Sequence, residues 1–226
     1  MNIEIQTHVA EIATLYPLAT RVLDRYQIGY CCEGGKTLNE ACERRGLNPE
    51  AIIAEIQQEL EKTDDSPTRW DQASLEELIK HILATYHEPL REELPRLEAM
   101  ALRVEQVHGE KMPLVLPELA RVMTALRAEL EQHMMKEEQI LFPLVLQGEK
   151  IMIDCPIKVM EQEHDSASHA LQRLRLLTNN YQVPDGACNT WRALWHGLAD
   201  LESELQHHIH LENNILFPRA LKPDAA

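Results

Sequence analysis

The chain has 226 residues, a formal charge of −15 at pH 7 and 26% charged side chains. That balance argues against nucleic acid and anionic membrane as partners, and no uninterrupted apolar run approaches the roughly 18 residues of a membrane-spanning helix. Five cysteines, an odd number, follow a start (Met1 to His8) without the basic and apolar blocks of a secretion signal, so the expected compartment is a reducing cytoplasm rather than a disulfide-forming one.

Residues 1–62 read as a small helical domain. It holds Tyr30-Cys31-Cys32-Glu33-Gly34-Gly35, adjacent cysteines before two glycines, which predicts an exposed turn with accessible thiols. The spacing is not a Cys-x-x-Cys redox motif, and a bond between neighbours strains the peptide geometry. The functional reading is a thiol pair, Cys31 and Cys32, able to touch a metal or exchange with a partner. The bland reading is two small residues packed beneath a turn. Cys42, Cys155 and Cys188 are isolated and read as structural. The last helix of this domain should start at the N-cap Asn48 with Pro49 in its first turn, burying Ile52 or Ile53, Ile56 and Leu60.

A polar stretch around Pro67 predicts a linker over 63–73. Ser74 and Glu77 form a capping box that opens a second, larger segment, 74–226. Its first helix carries Leu83, His87, Leu90, Leu94 and Leu97 at steps of three and four, with Pro89 expected to kink or break it. The second should open near Pro117 and runs through Leu119, Met123, Leu126, Leu130, His133, Glu137 and Ile140. The third, opening near Pro156, shows Met160, His164, Ala167, Leu171 and Leu174. The fourth, from Asp185–Thr190, runs through Leu194, Leu198, Leu201, Leu205, His208, Glu212 and Ile215. Pro143 and Pro218 are expected to close the second and fourth helices.

The second and fourth helices repeat one another. His133 to Pro143 and His208 to Pro218 agree at seven of eleven positions, 75 residues apart, and hold the chain's two phenylalanines, Phe142 and Phe217. Each copy sets a His and a Glu four residues apart, on one helix face. These four polar residues interrupt apolar stripes, so they are expected inside the core, where a carboxylate must be paired or bind metal. No basic residue occupies the stripes, and the duplication argues for one shared purpose. With His87 and His164 the count is four imidazoles and two carboxylates, delivered by two duplicated hairpins of a four-helix bundle. That set suits iron, manganese or zinc. Zinc would be satisfied at four ligands, whereas an octahedral ion shared through two bridging carboxylates keeps open positions.

The other histidines lie off these stripes. His81, His108, His169, His207 and His210 are expected at the surface or behind the ligands, and His8 and His196 at the surface. Glu161 and Glu163 are candidate supporting acids rather than ligands.

Taken together, the Tyr-Cys-Cys-x-Gly-Gly string, the segment from His133 to Pro143, Met160-Glu161-Gln162-Glu163-His164 and the closing Leu211 to Ala220 resemble the hemerythrin-like di-iron proteins of the repair-of-iron-centres family, the ScdA/YtfE type. The resemblance covers nearly the whole chain. It implies an all-α fold: a hemerythrin-like four-helix bundle behind a small N-terminal helical domain. It further implies two non-haem, oxo- or hydroxo-bridged iron ions, with His87, His133, His164 and His208 as terminal ligands and Glu137 and Glu212 bridging. The family is associated with restoring iron–sulfur clusters damaged by nitric oxide or oxidants in the bacterial cytoplasm, and its cysteine pair maps onto Cys31 and Cys32. Pro89 departs from the pattern, where a polar helical residue is expected.

The function expected on this basis is repair of iron–sulfur clusters by iron supplied from a labile di-iron centre, with damaged iron–sulfur proteins as partners and nitric oxide as a small ligand. The competing reading is an enzyme that reduces nitric oxide at that centre, and a third is an O2 or nitric oxide sensor. The sequence also leaves room for a homodimer.

Overall fold

In the computed structural model, which describes residues 3–31, 34–62 and 68–222, the architecture is helical throughout, apart from an isolated antiparallel bridge between His8 and Thr37. The chain divides into two compact units, residues 1–79 with 206–226, and residues 80–205.

The first unit contains α1 (Val9–Leu15), α2 (Thr20–Arg25), α3 (Leu38–Glu43) and α4 (Pro49–Glu61). Local chemistry sets their ends. Thr37 and Glu40 cap α3 reciprocally, and the Asn48 side chain accepts from the Glu50 amide at the start of α4, behind Pro49. The core is Val9, Ile12, Val22, Leu23, Ile28, Tyr30, Leu38, Ile52 and Ile56. Each fully buried aliphatic side chain contributes roughly 1.5–3 kcal/mol. The capping box at Ser74 forms as expected: Glu77 accepts from the Ser74 amide at 3.0 Å, and Ser74 Oγ accepts from the Glu77 amide at 3.2 Å. It opens α5 (Leu75–Ile82).

The second unit is a four-helix bundle of α6 (Glu88–His108), α7 (Leu116–Lys136), α9 (Lys150–Leu177) and α10 (Asn189–Leu211), the last of which runs on into the first unit's residues. A short helix, α8 (Phe142–Gln147), follows α7. The apolar stripes are buried as their spacing requires, with Leu94, Leu97, Leu119, Met123, Leu126, Leu174, Leu194 and Leu198 fully inside. Buried Glu202 is satisfied by Arg175, at 2.7 Å, and by the Tyr181 hydroxyl, at 2.6 Å.

Four sequence expectations change here. Pro143 and Pro218 do not end their helices; the chain continues as α8 and as α11 (Phe217–Leu221). Pro89 does not break the first helix. Each of these prolines instead follows one π-helical turn: Leu83–His87, Glu137–Leu141 and Glu212–Leu216. The amides of Glu88, Phe142 and Phe217 reach back five residues, to the carbonyls of Leu83, Glu137 and Glu212. A proline ring clashes with the carbonyl four residues earlier, here Thr85, Gln139 and Asn214, which are the third residues of the three π turns. Widening the turn relieves that clash without breaking the helix. Pro89 is therefore the counterpart of Pro143 and Pro218. The extra residue also shifts the stripe, so Ile140 is 51% exposed and Leu141 takes the buried position, while Ile215 stays buried. Lastly, α9 starts six residues before Pro156, at Lys150, directly after a turn at the left-handed Gly148 (φ 73°).

Candidate metal centre

In the second unit, α6, α7 and α9 bring four expected ligands together. His87 closes one π turn, His133 lies in the last turn of α7, Glu137 opens the next π turn and His164 lies mid-way along α9. All four are buried, Glu137 completely. Glu137 Oε2 lies 3.4 Å from His87 Nε2 and 3.3 Å from His133 Nε2, and the Nε2 atoms of His133 and His164 face each other at 3.0 Å. His133, Glu137 and His164 each offer a ligand atom within 4.8 Å of the others, as do His87 and Glu137. Phe142, just past the π turn, packs its ring 5.8 Å from the His87 ring.

The outward nitrogens fix the tautomers. His87 Nδ1 pairs with Glu138 Oε1 at 2.8 Å, and Arg91 holds that carboxylate with contacts of 2.5 and 2.6 Å. His133 Nδ1 pairs with Glu163 Oε2 at 3.0 Å, and Lys136 Nζ bonds the same carboxylate. Burial works against the Glu163 anion, but its bonds to Lys136 and His133 outweigh burial and hold its carboxyl below the usual range. A proton held on Nδ1 leaves the Nε2 lone pair pointing inward, the carboxylate–histidine arrangement of metal sites. Of the two acids proposed from sequence, Glu163 takes this role and Glu161 is exposed. Glu138, Arg91 and Lys136 carry no sequence signal of their own. Glu138 is off the stripe and its repeat counterpart is Asn213.

The donor set fits a metal cation, iron included. Glu202, also buried, is met by a guanidinium and a phenol, as a structural carboxylate is. Glu137 is met by imidazole nitrogens whose lone pairs are directed at it. Two imidazole Nε2 atoms 3.0 Å apart, that of His133 with its lone pair inward, are spaced as two ligands of one cation.

In the first unit, His208 Nε2 lies 3.0 Å from Glu212 Oε1, both buried, repeating the His133–Glu137 pair. The neighbouring residues bind the N-terminal helices of this unit. His207 Nε2 meets Thr20 Oγ1 at 3.1 Å, and Asn214 donates to the carbonyls of Tyr30, at 3.3 Å, and Cys31, at 2.9 Å. His210 was expected at the surface or behind the ligands; it is buried, with Nδ1 3.4 Å from the Tyr30 carbonyl and its ring 5.4 Å from that of Tyr30. Burial pushes its pKa down to about 4. The loop expectation also changes. Cys31 is buried, 9% exposed, because Asn214 holds its carbonyl and Tyr30 beside it is in the core. Cys32 lies outside the described residues.

Two family profiles match the chain: "Hemerythrin HHE cation binding domain" over residues 78–220 and "Domain of Unknown function (DUF542)" over residues 5–60. The chain belongs to the hemerythrin HHE family. Within that family it is similar to proteins named "Iron-sulfur cluster repair protein YtfE". That of Edwardsiella ictaluri is 45% identical over 213 residues, covering 94% of this chain and 96% of the relative. The Citrobacter koseri protein matches to the same extent, and that of Escherichia coli O8 is 44% identical with the same coverage. The matches embrace both the cysteine-bearing N-terminal domain and the bundle, so the chain is of the ScdA/YtfE type. Membership implies non-haem iron as the metal.

Proposed function

We propose that this protein repairs damaged iron–sulfur clusters by supplying iron from a two-iron centre. The observation that carries the reading is the fully buried Glu137 met by inward-facing imidazoles, in a chain 45% identical to named repair proteins along nearly its whole length. The proposed ligands are His87, His133, His164 and His208 as terminal imidazoles, with Glu137 and Glu212 bridging. The hemerythrin profile covers residues 78–220, a span that holds both His-x-x-x-Glu pairs, and this supports one shared domain. We assign that domain to residues 74–226, joined by a linker over 63–73 to a cysteine-bearing domain over 1–62; residues 63–67 of the linker lie outside the described residues.

Bound there, iron would keep coordination positions open and stay exchangeable, as a closed four-ligand zinc site would not. The chain's own residues do the rest. Glu138 and Glu163 keep the His87 and His133 Nε2 lone pairs turned inward, and Arg91 and Lys136 balance the charge of those acids. The apolar stripes of α6, α7 and α9 exclude water from the ligands. Cys31 and Cys32 are proposed as the thiols that exchange with the client, and Asn214 ties the Cys31 carbonyl to the segment that carries Glu212. The proposed setting is the cytoplasm, with damaged iron–sulfur proteins as clients, nitric oxide as a small ligand and a homodimer as a candidate assembly.

The test is restoration of a nitric-oxide-damaged cluster enzyme by the iron-loaded protein, against an equal amount of free ferrous iron. Iron content of the protein is measured before and after. Faster recovery, with iron lost from the protein in proportion, supports delivery. Recovery no better than with free iron rejects it, and catalytic consumption of nitric oxide without iron loss assigns the centre to nitric oxide reduction instead.

A further inference from the structure

The bundle carries a second nucleophilic cluster, formed by residues distant in sequence. Cys188 Sγ lies 3.4 Å from His108 Nε2, across 80 residues of sequence. The imidazole is stacked on Trp191, with ring centroids 5.0 Å apart and planes inclined by 31°, so it is held against the sulfur. Trp191 is itself buried and packs on Trp195, which makes a rigid floor. Cys188 is exposed, so small reagents reach the sulfur.

Both partners stand at helix ends of matching polarity. Cys188 immediately precedes α10, and its carbonyl accepts from the Arg192 amide as the first bond of that helix. His108 is the last residue of α6. A helix N-terminus favours an anion and a C-terminus a cation, so the two ends carry partial charges of the sign a thiolate and an imidazolium would each need. Cys155, the other exposed cysteine among the described residues, sits inside α9 rather than at a helix end.

We propose that Cys188 and His108 form a thiol–imidazole pair that undergoes exchange with low-molecular-weight disulfides, making Cys188 a site of reversible S-thiolation. The thiol proton passes to His108 Nε2 as the Cys188 sulfur attacks one sulfur of the disulfide. A new S–S bond forms to Cys188 and the reagent's own S–S bond breaks. The Cys188 sulfur is oxidised, the departing sulfur is reduced, and His108 returns the proton to the departing thiolate.

The test uses the full-length, iron-loaded protein and oxidised glutathione, with each cysteine followed by peptide mapping and mass spectrometry. Cys188 should form the mixed disulfide on the order of tenfold faster than Cys155, and a thiol reductant should reverse it. His108→Gln, which keeps a polar side chain but removes the base, should bring Cys188 down to the Cys155 rate. Cys188→Ser should abolish labelling of that peptide alone. Equal rates at the two cysteines would overturn the proposal, as would a His108→Gln variant that labels at the wild-type rate.

Discussion

Replacing Glu137 by leucine should move stability in opposite directions with and without metal. The carboxylate is fully buried and lies 3.4 and 3.3 Å from two imidazole nitrogens. Without metal it is a charge withdrawn from water, and replacing buried ionic groups by apolar side chains of similar volume is often neutral or stabilises by about 1–4 kcal/mol. With metal the sign reverses. A ligand at about a hundredfold its dissociation constant stabilises the native state by about 2.7 kcal/mol, and the variant forfeits most of that gain. Urea unfolding of both proteins, stripped and iron-loaded, with metal content by elemental analysis, gives four stabilities to compare. Glu137→Leu should equal or exceed the wild type when stripped, fall below it when loaded, and hold less iron. If the variant retains full iron and the full metal-induced stabilisation, Glu137 is not a ligand. If the stripped variant is weaker by about 3–5 kcal/mol, the carboxylate is a structural ion pair with its histidines.

Three further outcomes follow from the same geometry. Glu163→Gln removes the anion that holds the Nδ1 proton of His133, so metal affinity measured by competition with a chelator should drop about 10- to 100-fold while the helix content in circular dichroism stays unchanged. Gly197→Ala should destabilise the protein despite a helix-propensity gain of about 1 kcal/mol, because the new Cβ would stand 2.6 Å from Leu97 Cδ2 in the core, and overpacking costs about 1–3 kcal/mol. Combining it with Leu97→Ala should recover part of the loss in a double-mutant cycle of thermal or urea unfolding. Burial holds His210 at about 4, below its ordinary 6.5, so between those values the unfolded chain binds a proton that the folded chain does not. Stability should therefore fall as pH drops from about 6.5 towards 4, by up to about 3 kcal/mol from this group. His210→Gln should flatten that part of the wild-type dependence, seen as a smaller difference in urea midpoint between pH 7.5 and pH 5.

The sequence alone determined what depends on spacing along one helix. His133 with Glu137 and His208 with Glu212 are each four residues apart, so helical periodicity places each pair on one face, and the flanking leucines show that this face is buried. The duplication and the lack of a basic residue on the stripes then point to a metal, and the caps at Thr37, Asn48 and Ser74 are local chemistry that a sequence states directly. What only the tertiary structure decided is what depends on residues far apart in the chain. Glu138 meets His87 across 51 residues and Glu163 meets His133 across 30, pairings no periodicity encodes. The prolines looked like helix ends because sequence records the lost amide and the clash, but not that neighbouring packing lets the chain widen into a π turn and continue. Cys31 reads as exposed and is buried, and His210, read as a surface or supporting residue, is buried as well, because the turn and that off-stripe histidine meet across 180 residues through Tyr30. Cys188 looked isolated for the same reason, until folding set it against His108. Local spacing fixes which side chains share a face, and only the packing of helices from different parts of the chain fixes what that face meets.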